Sequence, residues 1–241
     1  QKQVWDFTLL DTGFFRNGQP FNAGEGGYIG VRSIFPPTIS TLQGAIRTAL
    51  AVAKGWTPTK GPLPPELGTS KDLGVLSFHG PYLTYDDETY YQMPYNLLVK
   101  RESGPNSSIK FVFLVPGEPV KCDLGEKICL PKPLEKLEGA GSVEGIYISR
   151  AGFTRILSGQ LPLEEQIKEK ESLWQEESRI GLERNDNTRT AEDSRLYRIN
   201  HIRPQKGLKI RVIVNGIPAG WPEVTNRVVP LGGEGRLSAI E

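Results

Sequence analysis

The chain has 241 residues, 37% of them hydrophobic and 24% charged, with a formal net charge of +1. That balance belongs to a folded protein with one large core or two smaller ones, and it excludes both a disordered chain and a global polycation. No apolar run approaches the roughly 20 residues of a membrane span, so the cytoplasm is the expected location and no membrane partner is expected.

In chain order, "VWDFTLLDT" (4–12) predicts a strand that leads into "FFRNGQPF" (14–21). Arg16, Asn17 and Gly18 in a row do not fit a buried strand, and a solvated loop is not normally fenced by Phe14, Phe15 and Phe21. The reading is a rigid loop whose ends are fixed in the core and which presents Arg16. Its guanidinium then meets an external anion, or pairs with an internal carboxylate such as Asp11. After "NAGEGGYIG" comes the hinge "FPPTIS", where Pro36 and Pro37 forbid a regular strand and make Thr38 to Thr41 the cap candidates of a helix. Leu42, Ala45, Ile46, Ala49, Leu50 and Ala53 fall on one stripe, and Gly55 stands where a C-terminal glycine belongs. The opposite face carries Ser40, Gly44, Arg47 and Ala51. A glycine there fits either tight helix–sheet packing or the approach of another backbone, and Arg47 beside it suits a phosphate.

Further on, "TPTKGPLPPELG" (57–68) predicts a surface loop, and "LGVLSFHGPYLTY" (73–85) and "SIKFVFLVPG" (108–117) predict strands. "PLEEQIKEKESLWQEES" (162–178) predicts an amphipathic helix with Leu163, Ile167 and Trp174 on one stripe. Between 179 and 216 three more strand-like runs follow. Charge is uneven here. Residues 164–177 hold six acids against two lysines, and 179–211 hold nine Lys/Arg against four acids. Such zones serve separate partners, or are simply solvated faces. Strands, few helices and long crossovers predict an α+β class.

Sites for catalysis are poorly supported. No GxSxG elbow occurs, His79 and His201 lie in unrelated contexts, and Asp86, Asp87 and Glu88 form a consecutive run that reads as a turn. Cys122 and Cys129 flank "DLGEKI" and read as a hairpin pair, free or oxidised, better than as a zinc site. No metal and no cofactor are therefore expected. "GGEGRLS" lacks the rest of a dinucleotide fold, but Gly232, Gly233 and Gly235 beside Arg236 can form a cradle of amides for an anion.

Taken in order, "LLDTGFFRNGQPF", "FPPTISTLQGAIRTAL", "ESRIGLERNDNTRTAEDSRLYRINHIRP" and "VPLGGEGRL" resemble the third RAMP (repeat-associated mysterious protein) subunit of the type III-B (Cmr) CRISPR effector complex. The resemblance is weakest over 57–72 and 101–140, and Asn17 stands where members often have aspartate. It implies two ferredoxin-like (RRM-type) units, divided here at 1–145 and 146–241, the second expected to lack a closing strand at its C-terminus. It also implies a non-catalytic role: holding the 5′ tag of CRISPR RNA beside the large polymerase-type subunit, next to an adjacent backbone RAMP subunit. The RNA-binding candidates are Arg16, Ser40, Thr41, Arg47, Arg184, Arg189, Gly232, Gly233, Gly235 and Arg236. The alternative from the enzyme class is a stand-alone RAMP endoribonuclease that processes CRISPR transcripts. A third reading is a protein-only scaffold.

Overall fold

The computed structural model describes residues 1–18, 30–69, 71–102, 108–184 and 188–241, with backbone only at 30, 182–184 and 191–197. Its elements in chain order are β1 (Gln3–Leu9), β2 (Gly30–Val31), α1 (Ile39–Ala53), β3 (Ser77–Tyr85), β4 (Glu88–Gln92), β5 (Leu97–Arg101), β6 (Ile109–Cys122), β7 (Gly125–Pro133), β8 (Gly141–Ser142), β9 (Ile146–Ser149), α2 (Arg150–Leu157), β10 (Ile167–Glu169), β11 (Trp174–Arg184), β12 (Ala191–Pro204), β13 (Lys209–Asn215), β14 (Arg227–Pro230) and β15 (Leu237–Ile240). Short 3-10 turns punctuate the loops. The α+β class expected from the sequence is what the chain adopts.

The chain divides into two compact units, Gln1–Asp87 with Leu173–Glu241, and Glu88–Ser172. The first is discontinuous, unlike the sequential division expected at residue 145. The cause is strand return. β1 pairs antiparallel with β13, Trp5 opposite Val212, and with β15, Phe7 opposite Ile240. The last third of the chain thus completes the sheet that the first residues begin.

In the first unit the strands run β3-β13-β1-β15-β14, all neighbours antiparallel. β13 alternates as a half-buried strand should, with Ile210, Val212 and Val214 inside. β1 buries Trp5, Phe7 and Leu9 on the same period. Asp6 sits opposite Arg211 and takes two hydrogen bonds from its guanidinium, at 2.7 and 2.6 Å. α1 forms where its periodicity predicts and buries Leu42, Ile46 and Leu50 completely. Its N-cap is Thr38, whose carbonyl accepts from Thr41 N at 3.1 Å. The Thr38 hydroxyl bonds not to a backbone amide but to the hydroxyls of Ser40 and Thr41, at 2.9 and 3.2 Å. A separate sheet, β11-β12-β2, carries the long hairpin β11–β12 and the parallel partner β2.

In the second unit, β10-β9-β4 form one antiparallel set and β7-β6-β5-β8 a second sheet. α2 is capped by Ser149, whose hydroxyl accepts from Gly152 N. The core gathers Met93, Leu97, Val99, Phe111, Val143, Ile146, Ile148 and Ile156.

The amphipathic helix expected over 162–178 does not form. Its residues make a 3-10 turn, strand β10, a second 3-10 turn and the start of β11. Ile167 pairs with Ile148, and Trp174 faces Pro204 across β11–β12. Strand partners distant in sequence override the local helix preference of the Glu/Lys/Leu composition.

Candidate functional site

A groove of about 690 Å³ opens in the first unit between α1, β14, the loop after β1 and the turn after β14. One wall is the α1 stripe of Thr38, Ser40, Thr41, Gly44, Ala45, Thr48, Ala49 and Val52. The opposite wall is Arg227 to Pro230, continued by Leu231, Gly232 and Gly233. Phe14, Phe15, Arg16 and Ile34 close the remaining side. Five of the ten residues singled out from the sequence therefore meet here: Arg16, Ser40, Thr41, Gly232 and Gly233.

Local chemistry explains how each is held. Phe14 and Phe15 are buried at 6% and 5% exposure, as the aromatic fence predicts, and Phe21 lies outside the described residues. Phe14 stacks on the His201 ring, with centroids 5.3 Å apart, and Phe15 packs on Phe35. Between these anchors the chain turns outward, and exposed Arg16 makes a backbone bridge to Ser33. Phe15 N donates to the Ser33 hydroxyl at 3.1 Å, and that hydroxyl donates to Asn200 O at 2.7 Å. The glycine turn is clamped to the same loop: Gly233 N donates to Phe14 O at 2.8 Å. That amide is spent on protein, and Gly232 and Gly233 form part of the groove wall. The turn joins two strands, β14 and β15.

The other candidates sit elsewhere. Arg47 does not lie on a solvent face. The loop after α1 folds over it, buries Leu67 completely, and offers Thr69 O to its Nη2 at 2.8 Å. Ala51 is buried beside it. Gly235 and Arg236 follow the groove wall without lining it. Arg189 is exposed, with a left-handed φ of 57°. The Arg184 side chain lies outside the described residues, although its backbone pairs with Ala191 in the hairpin.

Asp11 pairs not with Arg16 but with three other arginines. It accepts from Arg179 Nη2 at 3.2 Å, Arg203 Nη1 at 3.0 Å and Arg236 Nη1 at 3.4 Å. Glu177 bridges Arg179 at 2.7 Å and also Arg203. The basic zone of 179–211 is thus partly neutralised from outside itself: Arg179 and Arg203 by Asp11 and Glu177, Lys209 by Glu241, and Arg211 by Asp6. Counting charge within a window could not find these long-range partners. Arg227 was also missed, because it sits in the unremarkable run "TNRVVP".

The hub titrates in a defined direction. Hydrogen bonds from Arg203 and then Arg179 pull the Glu177 carboxyl down to about 2. Asp11 is lowered chiefly by its bond from Arg179. His201 is fully buried, shares a 2.9 Å hydrogen bond between Nδ1 and Thr12 Oγ1, and has its pKa lowered by burial and then by the charges of Arg179 and Arg236. All three groups bind protons better in the unfolded chain. Their contribution is complete above the ordinary His value of 6.5 and is lost as pH falls, His201 first and Glu177 last, towards about 2. Thermal melts should therefore be level from pH 8 to 7 and fall between pH 6.5 and 5, a step that His201→Asn removes. A melting temperature unchanged from pH 7.5 to 5 would contradict the burial of a neutral imidazole.

As for nucleases, His79 is exposed on β3 opposite Ile213, whereas His201 is buried on β12. Among the described residues no group of three or more His, Cys, Asp or Glu is placed to hold a metal ion. Cys122 and Cys129 are both free. Cys122 faces Gly125 and Cys129 faces Pro119, so the β6–β7 hairpin forms without making them partners. No helix among the described residues is long and apolar enough to cross a membrane.

The family model of the CRISPR-associated protein Cas_Cmr3 matches residues 5–241. The chain belongs to this family. Among curated proteins, none matches it in sequence. Among the solved chains that match it are the following two. One, from the cryo-EM structure of the Type III-B Cmr-beta bound to cognate target RNA, is 14% identical, with a TM-score of 0.55 over 99% of this chain and 63% of its own length. The other, from Type III-B Cmr-beta bound to cognate target RNA and AMPPnP, state 1, is 15% identical, with a TM-score of 0.49 over 100% of this chain and 62% of its own. The Cas_Cmr3 chain thus spans less than two thirds of either solved chain, and at 14% identity the first likeness bears on the fold alone.

Proposed function

We propose that this Cas_Cmr3 chain is a non-catalytic RNA-binding subunit of a type III-B CRISPR effector ribonucleoprotein. It holds the 5′ tag of CRISPR RNA next to the large polymerase-type subunit and beside an adjacent backbone RAMP subunit, and its two units are ferredoxin-like. The family match supports membership of the assembly. The observation that carries RNA contact is the groove itself, where Arg16, Ser40, Thr41, Gly232 and Gly233, each chosen for a separate local reason, face one space. Among the described residues its lining holds two guanidiniums, four hydroxyls and no carboxylate, which suits a phosphodiester backbone. Arg236, Gly235, Arg189 and Arg184 remain secondary contacts, and Arg47 is the weakest because its guanidinium serves Thr69.

The test is co-purification of the chain with the large subunit, followed by sequencing of the bound RNA. Arg16→Ala should weaken RNA retention by about 1–3 kcal/mol, the value of a hydrogen bond to a charged group, and reduce the salt slope by about one phosphate contact. Replacing Arg184 and Arg189 together should have the same sign. An Arg16→Ala assembly with unaltered affinity and salt slope would remove the groove from the RNA path. Incubation of the pure chain with repeat-containing RNA and Mg²⁺ should leave the RNA intact, and cleavage lost in His79→Ala would favour the endoribonuclease reading.

A further inference from the structure

Gly44 sits in the middle of the groove wall, where the helix gains nothing from a glycine. A Cβ built there meets no atom within 4 Å, so no neighbouring backbone of this chain requires its absence. The missing side chain leaves a notch on the same stripe as Thr48. From Thr38 to Val52 the α1 wall is about 21 Å long at 1.5 Å per residue. A wall of that length can accompany an extended chain.

Charge and edge chemistry narrow the occupant. Among the described residues no carboxylate lines the groove, and Arg227, which does line it, has no ion-pair partner there. The occupant is therefore anionic. An extended peptide would need to add a strand to β14, which is the edge of its sheet. In the β14–β15 ladder Leu231 N bonds Arg236 O, so alternation turns Val228 and Pro230 to the free edge. Proline has no N–H, which leaves one amide on that edge, too few for strand addition. The exposed aliphatic walls, Ile34, Val52 and Val228, are 45%, 45% and 55% accessible and are suited to the apolar face of a base.

We infer that the notch at Gly44 receives one unstacked base of single-stranded RNA, with flanking phosphates turned towards Arg16 and Arg227. The inference rests on the RNA-holding reading above and adds to it a one-base slot with a steric gate.

The test uses the chain co-expressed with the other type III-B subunits and a CRISPR RNA, with base accessibility read nucleotide by nucleotide by dimethyl sulfate and a carbodiimide. The wild-type assembly should protect one base that Gly44→Leu exposes at least tenfold, while neighbouring positions keep their protection and the melting temperature does not fall. Thr48→Phe, one turn along the same stripe, blocks the slot independently and should expose the same base. Equal protection in wild type, Gly44→Leu and Thr48→Phe would overturn the slot and leave the RNA reading standing. An assembly in which this chain protects no nucleotide, or in which a protein segment crosslinks to Val228, would overturn both.

Discussion

Trp174→Ala should lower the stability of the folded chain by about 3–5 kcal/mol, the usual cost of deleting a large aromatic from a core. Trp174 is 6% exposed, stands opposite Pro204 at the start of β11, and packs against Phe35 with ring centroids 4.8 Å apart. Phe35 in turn packs on Phe15, which lines the groove. The indole therefore supports the floor of the candidate site through two aromatic contacts. Urea unfolding of the whole chain measures the loss. A change below 1 kcal/mol, with impaired capture of a partner subunit, would mean that Trp174 is a docking residue and not core. Leu163, on the same expected helical stripe, is 43% exposed, and Leu163→Ala should fall within 0.5 kcal/mol of wild type.

The contrast between those two residues marks where sequence reasoning reached its limit. Over 162–178 the composition is helix-forming, and only a partner strand at 191–204 or a neighbour at 146–149 makes it extended. Those partners are set by the fold, and periodicity within seventeen residues cannot supply them. α1 was legible because its burial pattern follows from its own 3.6-residue period. β1 and β13 were legible as strands, though not as neighbours. The discontinuity of the first unit was hidden for the same reason.

For the site the pattern reverses. Arg16 between aromatics, hydroxyls after a proline hinge, and three glycines near Arg236 were each visible as local chemistry, and the fold brings five of those residues to one groove. Arg47 was misplaced because a helical wheel assigns faces, not covers: the loop at 57–69 closes over what the wheel left open. Arg236 was legible as a cation but not as a partner of Asp11, 225 positions away. Its replacement by alanine should accordingly weaken the Asp11 hub by about 0.2–1 kcal/mol, the range for an exposed ion pair.

Gly232→Ala should be the most damaging substitution in the glycine turn, at about 2–4 kcal/mol, against about 1 kcal/mol for Gly235→Ala and less for Gly233→Ala. Gly232 has φ 84°, in the left-handed region where a side chain alone costs about 1–2 kcal/mol. An added Cβ would also stand 2.4 Å from Phe14 O, a backbone atom that cannot swing aside. Gly235 shares the left-handed geometry at φ 61°, but its Cβ would point into open space. Gly233 needs no positive φ. Its Cβ would meet the Phe14 ring at 3.0 Å and stand 3.8 Å from Phe14 O, a looser approach than that of Gly232. Because Gly233 N holds Phe14 O, the shift forced by Gly232→Ala passes directly to Phe14 and the His201 ring stacked on it. The fall in melting temperature should therefore come with a change in tryptophan-independent near-ultraviolet signal from the buried phenylalanines, and with loss of RNA retention at temperatures where Gly235→Ala still retains it. A ranking in which Gly235→Ala is the worst of the three would show that the close approach to Phe14 is not what fixes this turn.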